Sequence, residues 1–233
     1  MTFHVADLPT PTLDLPPVYS AVIVRKPANA FAHACGLAGP DRAGTLVWVE
    51  RDEVIEFAVV LAPDEPLTSA RRAFFVAMTA LADAVSAHAP PEKPVTFDWP
   101  DAIRFDGARI GGGRLGWPDD CPEDRVPGWL VYSAMLIASK QRAGDPGLTP
   151  DSTSLEEEGF LIERPGALVE SFARYLMKGF DLWAEQGFES IEARYLAHLP
   201  NGESSLGAAP RRPLLAALRA VSWLDPATGA PRL

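Results

Sequence analysis

The sequence predicts an α+β fold, with an antiparallel or mixed sheet covered mainly on one face by helices. Three observations lead there. Strand-like segments cluster in the first 140 residues, and helix-like segments dominate afterwards. Asp106-Gly107 sits between Ile103-Arg104-Phe105 and Arg109-Ile110, a strong hairpin signal. Two long segments carry apolar residues at helical spacing: Phe74, Phe75, Met78, Leu81, Ala82 and Val85 in one, and Leu168, Val169, Phe172, Tyr175, Leu176, Phe180 and Trp183 in the other.

Taken in order, residues 1–17 are Pro-rich and predict an extended segment over the surface. A short strand over 21–26 follows. Asn29 is placed to cap a helix through Cys35, which Gly36 or Gly39 ends. Thr45–Arg51 and Val54–Ala62 are rich in Val, Ile, Trp and Phe and flank Asp52-Glu53, which predicts a second hairpin. Thr68 or Ser69 caps the first long helix, and Pro90-Pro91 stops it. Val95–Trp99 reads as a short strand, residues 116–127 as an acidic, Pro-rich loop, and Gly128–Ser139 as a buried strand. The second long helix runs from Pro165 to Gln186, with Pro165 in its first turn and Gly187 at its C-cap. A third helix fits Glu189–Leu199. The remainder is loop-like except for the apolar stretch Leu214–Val221. The domain plan is an extended segment over 1–17, one domain over 18–199, and a tail over 200–233 packed on it.

Composition narrows the function. Of 233 residues, 47% are hydrophobic, enough for a sizeable core, so a globally disordered chain is excluded. The net charge of −10 disfavours nucleic acid as a partner. The two cysteines, Cys35 and Cys121, lie in unlike surroundings, which is neither a disulfide framework nor a metal cluster. No metal site is expected from the sequence. The first residues lack a basic and apolar leader. The apolar stretch Ala73–Ala82, flanked by Arg71, Arg72 and Asp83, is too short to span a bilayer. The expectation is a cytoplasmic protein with no membrane partner.

The stretch Phe97-Asp98-Trp99-Pro100-Asp101-Ala102-Ile103-Arg104-Phe105-Asp106-Gly107-Ala108-Arg109-Ile110-Gly111-Gly112-Gly113 concentrates the chemistry. A strand ends at Trp-Pro, turns at Asp-Gly, and returns headed by Arg109 and three glycines. Glycines let a ligand approach the backbone, and an arginine beside them offers a fork for a carboxylate or phosphate. A bent hairpin with a solvated arginine accounts for the same residues, and both readings stay open on these grounds.

This stretch resembles the signature of biotin–protein ligases, in which a Trp-Pro-Asn-Asp strand leads through a hairpin to a lysine and a small-residue segment. Trp99 and Arg109 are 10 residues apart, the family's spacing. Ala43-Gly44-Thr45-Leu46-Val47 is similar to the family's opening core strand. Gly128–Ser139 matches its later core strand. Thr153-Ser154-Leu155-Glu156-Glu157-Glu158-Gly159 resembles its Ser-Leu turn before a long helix and a Gly-Phe step, here Gly187-Phe188. The resemblance spans about residues 18–199. It implies a mixed, largely antiparallel sheet flanked by helices, related to class II aminoacyl-tRNA synthetases. It also implies a biotin- or lipoate-like acid as substrate, ATP with Mg, an acyl-adenylate, and a lysine-bearing carrier domain as acceptor.

The departures are specific. Trp-Pro-Asn-Asp is here Trp99-Pro100-Asp101-Ala102, and the lysine is Arg109 in a chain with four lysines and seventeen arginines. The Gly-Arg-rich loop that closes over ligand in biotin ligases is replaced by Asp52-Glu53, and the lipoate ligases' Arg-Arg-x-x-Gly-Gly loop is absent too. The resemblance implies Arg109 as the cation between carboxylate and α-phosphate, with Asp101 beside it as a second catalytic residue and possible metal ligand. Trp99, Pro100, Gly111, Gly112 and Arg114 are the expected binding residues. Cys35 is open to a different use, as nucleophile of an ATP-independent acyltransferase, but its sequence neighbours give no cation or base to activate it. Cys121 lies in an acidic loop. A third reading is a non-catalytic small-molecule or carrier-protein binder on a ligase scaffold. The missing loop favours that reading and predicts weak or absent biotin transfer with carboxylate binding retained.

Overall fold

The computed structural model describes residues 12–142, 149–164, 166–200 and 218–233. Strands β1 (Ser20–Arg25), β2 (Thr45–Glu50), β3 (Val54–Leu61), β4 (Val95–Asp98), β5 (Ala102–Phe105), β6 (Ala108–Gly116) and β7 (Leu130–Ile137) join in one sheet of spatial order β1-β2-β3-β7-β6-β5-β4. Only β1 and β2 pair in parallel. The other neighbours are antiparallel. The parallel pair needs a crossover, and α1 (Ala30–Leu37) lies within it. Asn29 caps α1 as its sequence predicts, its Oδ1 accepting the Ala32 N–H at 2.9 Å.

Helices α3 (Ala73–His88), α4 (Gly166–Gln186) and α5 (Phe188–Leu196) cover one face of the sheet. Helix α3 is buried around its circumference, from Ala73 through Val85 with Asp83 the exception. A helix apolar on all sides needs cover on all sides. The sheet supplies it beneath and α4 and α5 above. Helix α4 is amphipathic instead. Leu168, Val169, Phe172, Ala173 and Leu176 are buried, and the stripe's second half, including Phe180 and Trp183, is only partly so.

The first long helix differs from its sequence-based form. It is broken at Arg71-Arg72 into a four-residue turn of helix, α2 (Leu67–Ala70), and α3. The Ser69 hydroxyl donates back to the Pro66 carbonyl at 3.1 Å and caps nothing. Of the predicted apolar stretch Leu214–Val221, residues 214–217 lie outside the described residues, and Leu218 joins the main core. Among the described residues no helix is long and apolar enough to cross a membrane.

The hairpin at Asp106-Gly107 takes positive φ at both positions, 50° and 84°, the twist that flanking strands favour. A register shift between Ile103 and Arg104 leaves Ile110 as an extra residue on β6. Gly111 sits at this bulge with φ 148°, and a Cβ there would lie 2.0 Å from the Met135 carbonyl oxygen. Beyond the bulge Gly113 and Leu115 face the helices, while Gly112 and Arg114 face the opposite side.

That opposite side is covered by α1 at one end and by residues 221–224 at the other. Trp223 lies flat on Gly112, Ala102 and Met135, and its indole N–H donates to the Gly113 carbonyl at 2.9 Å. A Cβ on Gly112 would sit 2.3 Å from both Trp223 Cδ1 and the Asp101 carbonyl oxygen. The glycine run thus makes room for an aromatic ring of the same chain.

Two outcomes follow for stability. Trp223→Ala removes this ring and its hydrogen bond, and is expected to cost about 3–5 kcal/mol in denaturant unfolding. Gly112→Ala forces a methyl against the ring and a carbonyl, and is expected to cost about 1–3 kcal/mol in the same measurement.

Candidate functional site

The structure distributes the residues of the signature stretch over both faces of the sheet. Trp99 packs on the helical side, stacked 5.8 Å from Phe75 and edge-on to Tyr195 at 6.0 Å. Pro100 is buried beside it, and its carbonyl accepts the Tyr195 hydroxyl at 2.7 Å. Both residues therefore knit the strand end to α3 and α5. Asp101 is buried on the other side, where Ser222 donates its N–H to Oδ2 at 2.8 Å and its hydroxyl to Oδ1. Burial pushes the Asp101 carboxyl above its ordinary range, and the Ser222 bonds oppose that only in part. This carboxylate holds the 221–224 segment in place. Gly112 lies under Trp223.

Arg109 is positioned by the chain that follows β7. Its N–H donates to the Asp151 carbonyl at 3.0 Å, and its carbonyl accepts from Thr153 at 2.9 Å. Those bonds dock the Thr153–Gly159 turn, whose Ser154 and Glu157 cap each other reciprocally. The Arg109 side chain is partly exposed, and its Nε donates to the Arg232 carbonyl at 3.3 Å. Burial, then the nearby Arg104 guanidinium, pulls its pKa down, and Arg232 acts in the same sense. Arg104 is paired with Asp98 at 2.6 Å. Arg109 itself has no ion pair among the described residues.

Arg114 lies further along β6 on the same face as Gly112. Its guanidinium carbon sits 3.6 Å from the Phe31 ring centroid, and one nitrogen reaches Asn29 Oδ1 at 3.3 Å. Burial brings its pKa down to about 10. Next to it is a group that sequence reasoning missed. Glu56 is fully buried on β3, with Oε1 accepting the Ala30 N–H at 2.7 Å. Its Oε2 lies 2.7 Å from Arg51 Nη2, close enough for an ion pair but out of line for a hydrogen bond. Arg51 also donates to the Ala28 carbonyl at 2.7 Å. Burial pushes the Glu56 carboxyl up against the pull of Ala30, Arg51 and Arg114. Ser133 on β7 stands directly opposite Arg114 in the strand register. The available signal was a single polar residue inside each apolar run, Glu56 in Val-Ile-Glu-Phe-Ala-Val and Ser133 in Val-Tyr-Ser-Ala-Met.

Cys35 also lies near Arg114, a cation its sequence neighbours do not reveal. Burial nevertheless pushes its thiol up, more than the arginine lowers it, and Asp119 adds to the rise. The thiol is therefore protonated at neutral pH, which argues against the acyltransferase role. Cys121 is unpaired as well. Among the described residues no group of three His, Cys, Asp or Glu side chains could hold a metal ion.

The β2–β3 connection is short, as its sequence predicts. Glu53 at its tip is held by Lys26 and Arg142, which bring its carboxyl down to about 2 with the Lys26 hydrogen bond foremost. A cleft of about 700 Å³ lies elsewhere, between α4 and the ends of β1 and β3, lined by Tyr19, Val60, Leu130, Met177, Phe180 and Trp183. None of the signature residues lines it.

With this geometry in view, comparison with known proteins is direct. A profile of the biotin/lipoate A/B protein ligase family matches residues 15–197. Similar solved structures include a biotin protein ligase-like protein of unknown function from Silicibacter sp. TM1040, at 32% identity over 81% of each chain with a TM-score of 0.72. Biotin protein ligase from Aquifex aeolicus is 13% identical over 78% of each chain, TM-score 0.61. The Leishmania major biotin protein ligase in complex with biotin is 13% identical over 84% of this chain and 87% of that one, TM-score 0.55. At that identity the last two speak for the fold alone. No protein of curated function matches the chain. The seven-stranded sheet with its flanking helices and the profile over residues 15–197 agree, and the chain belongs to the biotin/lipoate A/B protein ligase family.

Proposed function

We propose that this protein binds a small carboxylic acid on the α1 face of the sheet, activates it with ATP as an acyl-adenylate, and passes the acyl group to a lysine of a carrier domain. The observation that carries this reading is Arg109, a guanidinium without an ion pair among the described residues, set beside Arg104 and Arg232. Asp98 neutralises Arg104, which leaves Arg109 as the guanidinium an incoming carboxylate or phosphate would pair with. A carboxylate oxygen attacks the α-phosphorus, pyrophosphate leaves, and the lysine amine then displaces AMP from the acyl carbon. Arg109 neutralises charge building on the α-phosphate and holds the carboxylate oriented for attack. Mg bound to the nucleotide would supply further charge neutralisation. Asp101, engaged by Ser222, serves as a positioning residue for the segment that frames the site. Gly111, against the Met135 carbonyl, and Gly112, under Trp223, shape the strand rather than offer a ligand floor, and Arg114 lies at the far end of β6. A cytoplasmic location goes with this reading, since it calls for ATP and a carrier domain.

A second reading, binding without adenylation, is favoured by one observation. The short Asp52-Glu53 connection is pinned to Lys26 and Arg142 and leaves little chain there to close over an adenylate.

The deciding experiment incubates the protein with ATP, Mg and a panel of small carboxylic acids, biotin and lipoate among them. Pyrophosphate release and hydroxylamine trapping of the acyl-adenylate are the readouts. The expected result is slow, acid-dependent release that Arg109→Ala slows further, raising the activation free energy by about 1.5–3 kcal/mol. Acid binding with neither pyrophosphate nor hydroxamate establishes the non-catalytic reading. Absence of acid binding overturns both.

A further inference from the structure

The apolar stripe of α4 runs on beyond the cover that the sheet gives it. Its first half is sealed, but Met177 is 36% exposed, and Phe180 and Trp183 are only partly buried. These three side chains line the cleft of about 700 Å³, together with Val60 and Leu130. Phe180 and Trp183 stack with ring centroids 6.2 Å apart. Concave apolar volumes of about 300–1,000 Å³ are the size that takes a small organic molecule. The lining also has a sign. It includes the carboxylates Asp64, Glu65 and Asp181 and no lysine, arginine or histidine. None of the three forms an ion pair among the described residues. Tyr19 lines the cleft as well, and burial, then the Asp181 charge, pushes its pKa up to about 12. Its hydroxyl is therefore neutral at physiological pH.

We propose that this cleft binds an amphipathic organic cation, whose apolar body packs on Met177, Phe180 and Trp183 and whose protonated amine meets Asp181, Asp64 and Glu65. The walls supply the affinity, because burying apolar surface is the larger gain. The acids supply the selection. They are exposed, so each adds little binding energy, but three carboxylates without a basic neighbour in the lining favour a cationic head over a neutral one and repel an anionic one. The aromatic faces act in the same sense, since a ring face attracts a cation. A bare metal ion has no apolar body to place on the walls, and a fatty acid brings the wrong charge. The site is separate from the one proposed around Arg109. No residue of the signature stretch lines the cleft, and the two select opposite charges. The inference therefore stands or falls independently of carboxylate activation.

The test titrates the full chain with octylamine and with octanol, by calorimetry at neutral pH and low salt. The protonated amine is expected to bind about fivefold more tightly than the alcohol, a preference that added salt weakens. The combined variant Asp64→Asn, Glu65→Gln, Asp181→Asn is expected to abolish the preference and leave octanol binding unchanged. All three positions are exposed, so the core is untouched. Phe180→Ala and Trp183→Ala are expected to weaken both ligands to a similar degree. Glu163→Gln removes an exposed acid outside the cleft and is expected to leave the preference intact, which separates the cleft from the general pull of a net charge of −10. Equal affinity for amine and alcohol overturns the proposal. So does a preference that survives the combined variant or is lost equally in Glu163→Gln, and so does octanol binding that Trp183→Ala and Phe180→Ala leave unchanged. Absence of binding by both ligands overturns it too, and is the result expected if another part of the chain or a second copy fills the cleft.

Discussion

One inserted residue in the β5–β6 pair decides which side chains can act together. Without the bulge at Ile110, strict alternation would put Arg109 on the side of Gly111 and Gly113, facing α3. With it, Ile110 turns into the main core, and Arg109 is directed to the side where residues 221–233 lie. Gly112 and Arg114 follow on that side. The bulge requires a backbone conformation that glycine adopts readily, and Gly111 provides it against the Met135 carbonyl. Core packing and the polar face are thereby separated by the geometry of a single residue.

The polar face has an unusual electrostatic character for a sheet interior. Arg51, Glu56 and Arg114 surround a floor that in β7 and β3 is Val, Ala and Met apart from Ser133. A buried ion pair contributes little net stability, because desolvation offsets the attraction. What it does contribute is a fixed pattern of charge. Glu56 anchors the start of α1 through the Ala30 N–H, Arg51 ties the β2–β3 turn to the Ala28 carbonyl, and α1 in turn presents Phe31 and Asn29 to Arg114. The short β2–β3 turn is therefore also a strut beneath the helix.

Much of this architecture was legible in the sequence. Asp106-Gly107 signalled the hairpin, Asn29 the cap, and the apolar spacing of α3 and α4 the helical cover of one sheet face, because these depend on interactions within a few residues. The Trp99-Pro100 and Arg109 motifs carried the fold family at the right spacing. What the sequence could not display was the partner of each residue across the sheet. Trp99 looks like a pocket wall until Phe75 and Tyr195 are found on it. Asp101 looks free until Ser222, 121 residues later, takes both its oxygens. The glycines suggest ligand approach, and Trp223 uses the space. Glu56 and Ser133 were single polar letters in apolar strings, visible but without meaning until register placed them on one face with Arg114. Long-range pairing is where pattern reasoning loses its hold.

The Trp223 contact has a bearing on how the protein is made. The indole binds a strand 110 residues upstream, so β6 leaves the ribosome well before its cover does. At ordinary elongation rates that interval is about 5–20 s. During it, Ala102, the bare glycine backbone and, once made, Met135 lack the cover that Trp223 gives them. The same strand that is quiet in the finished domain is thus an uncovered apolar surface until residues 221–224 are made, and slower translation of the intervening helices lengthens that interval.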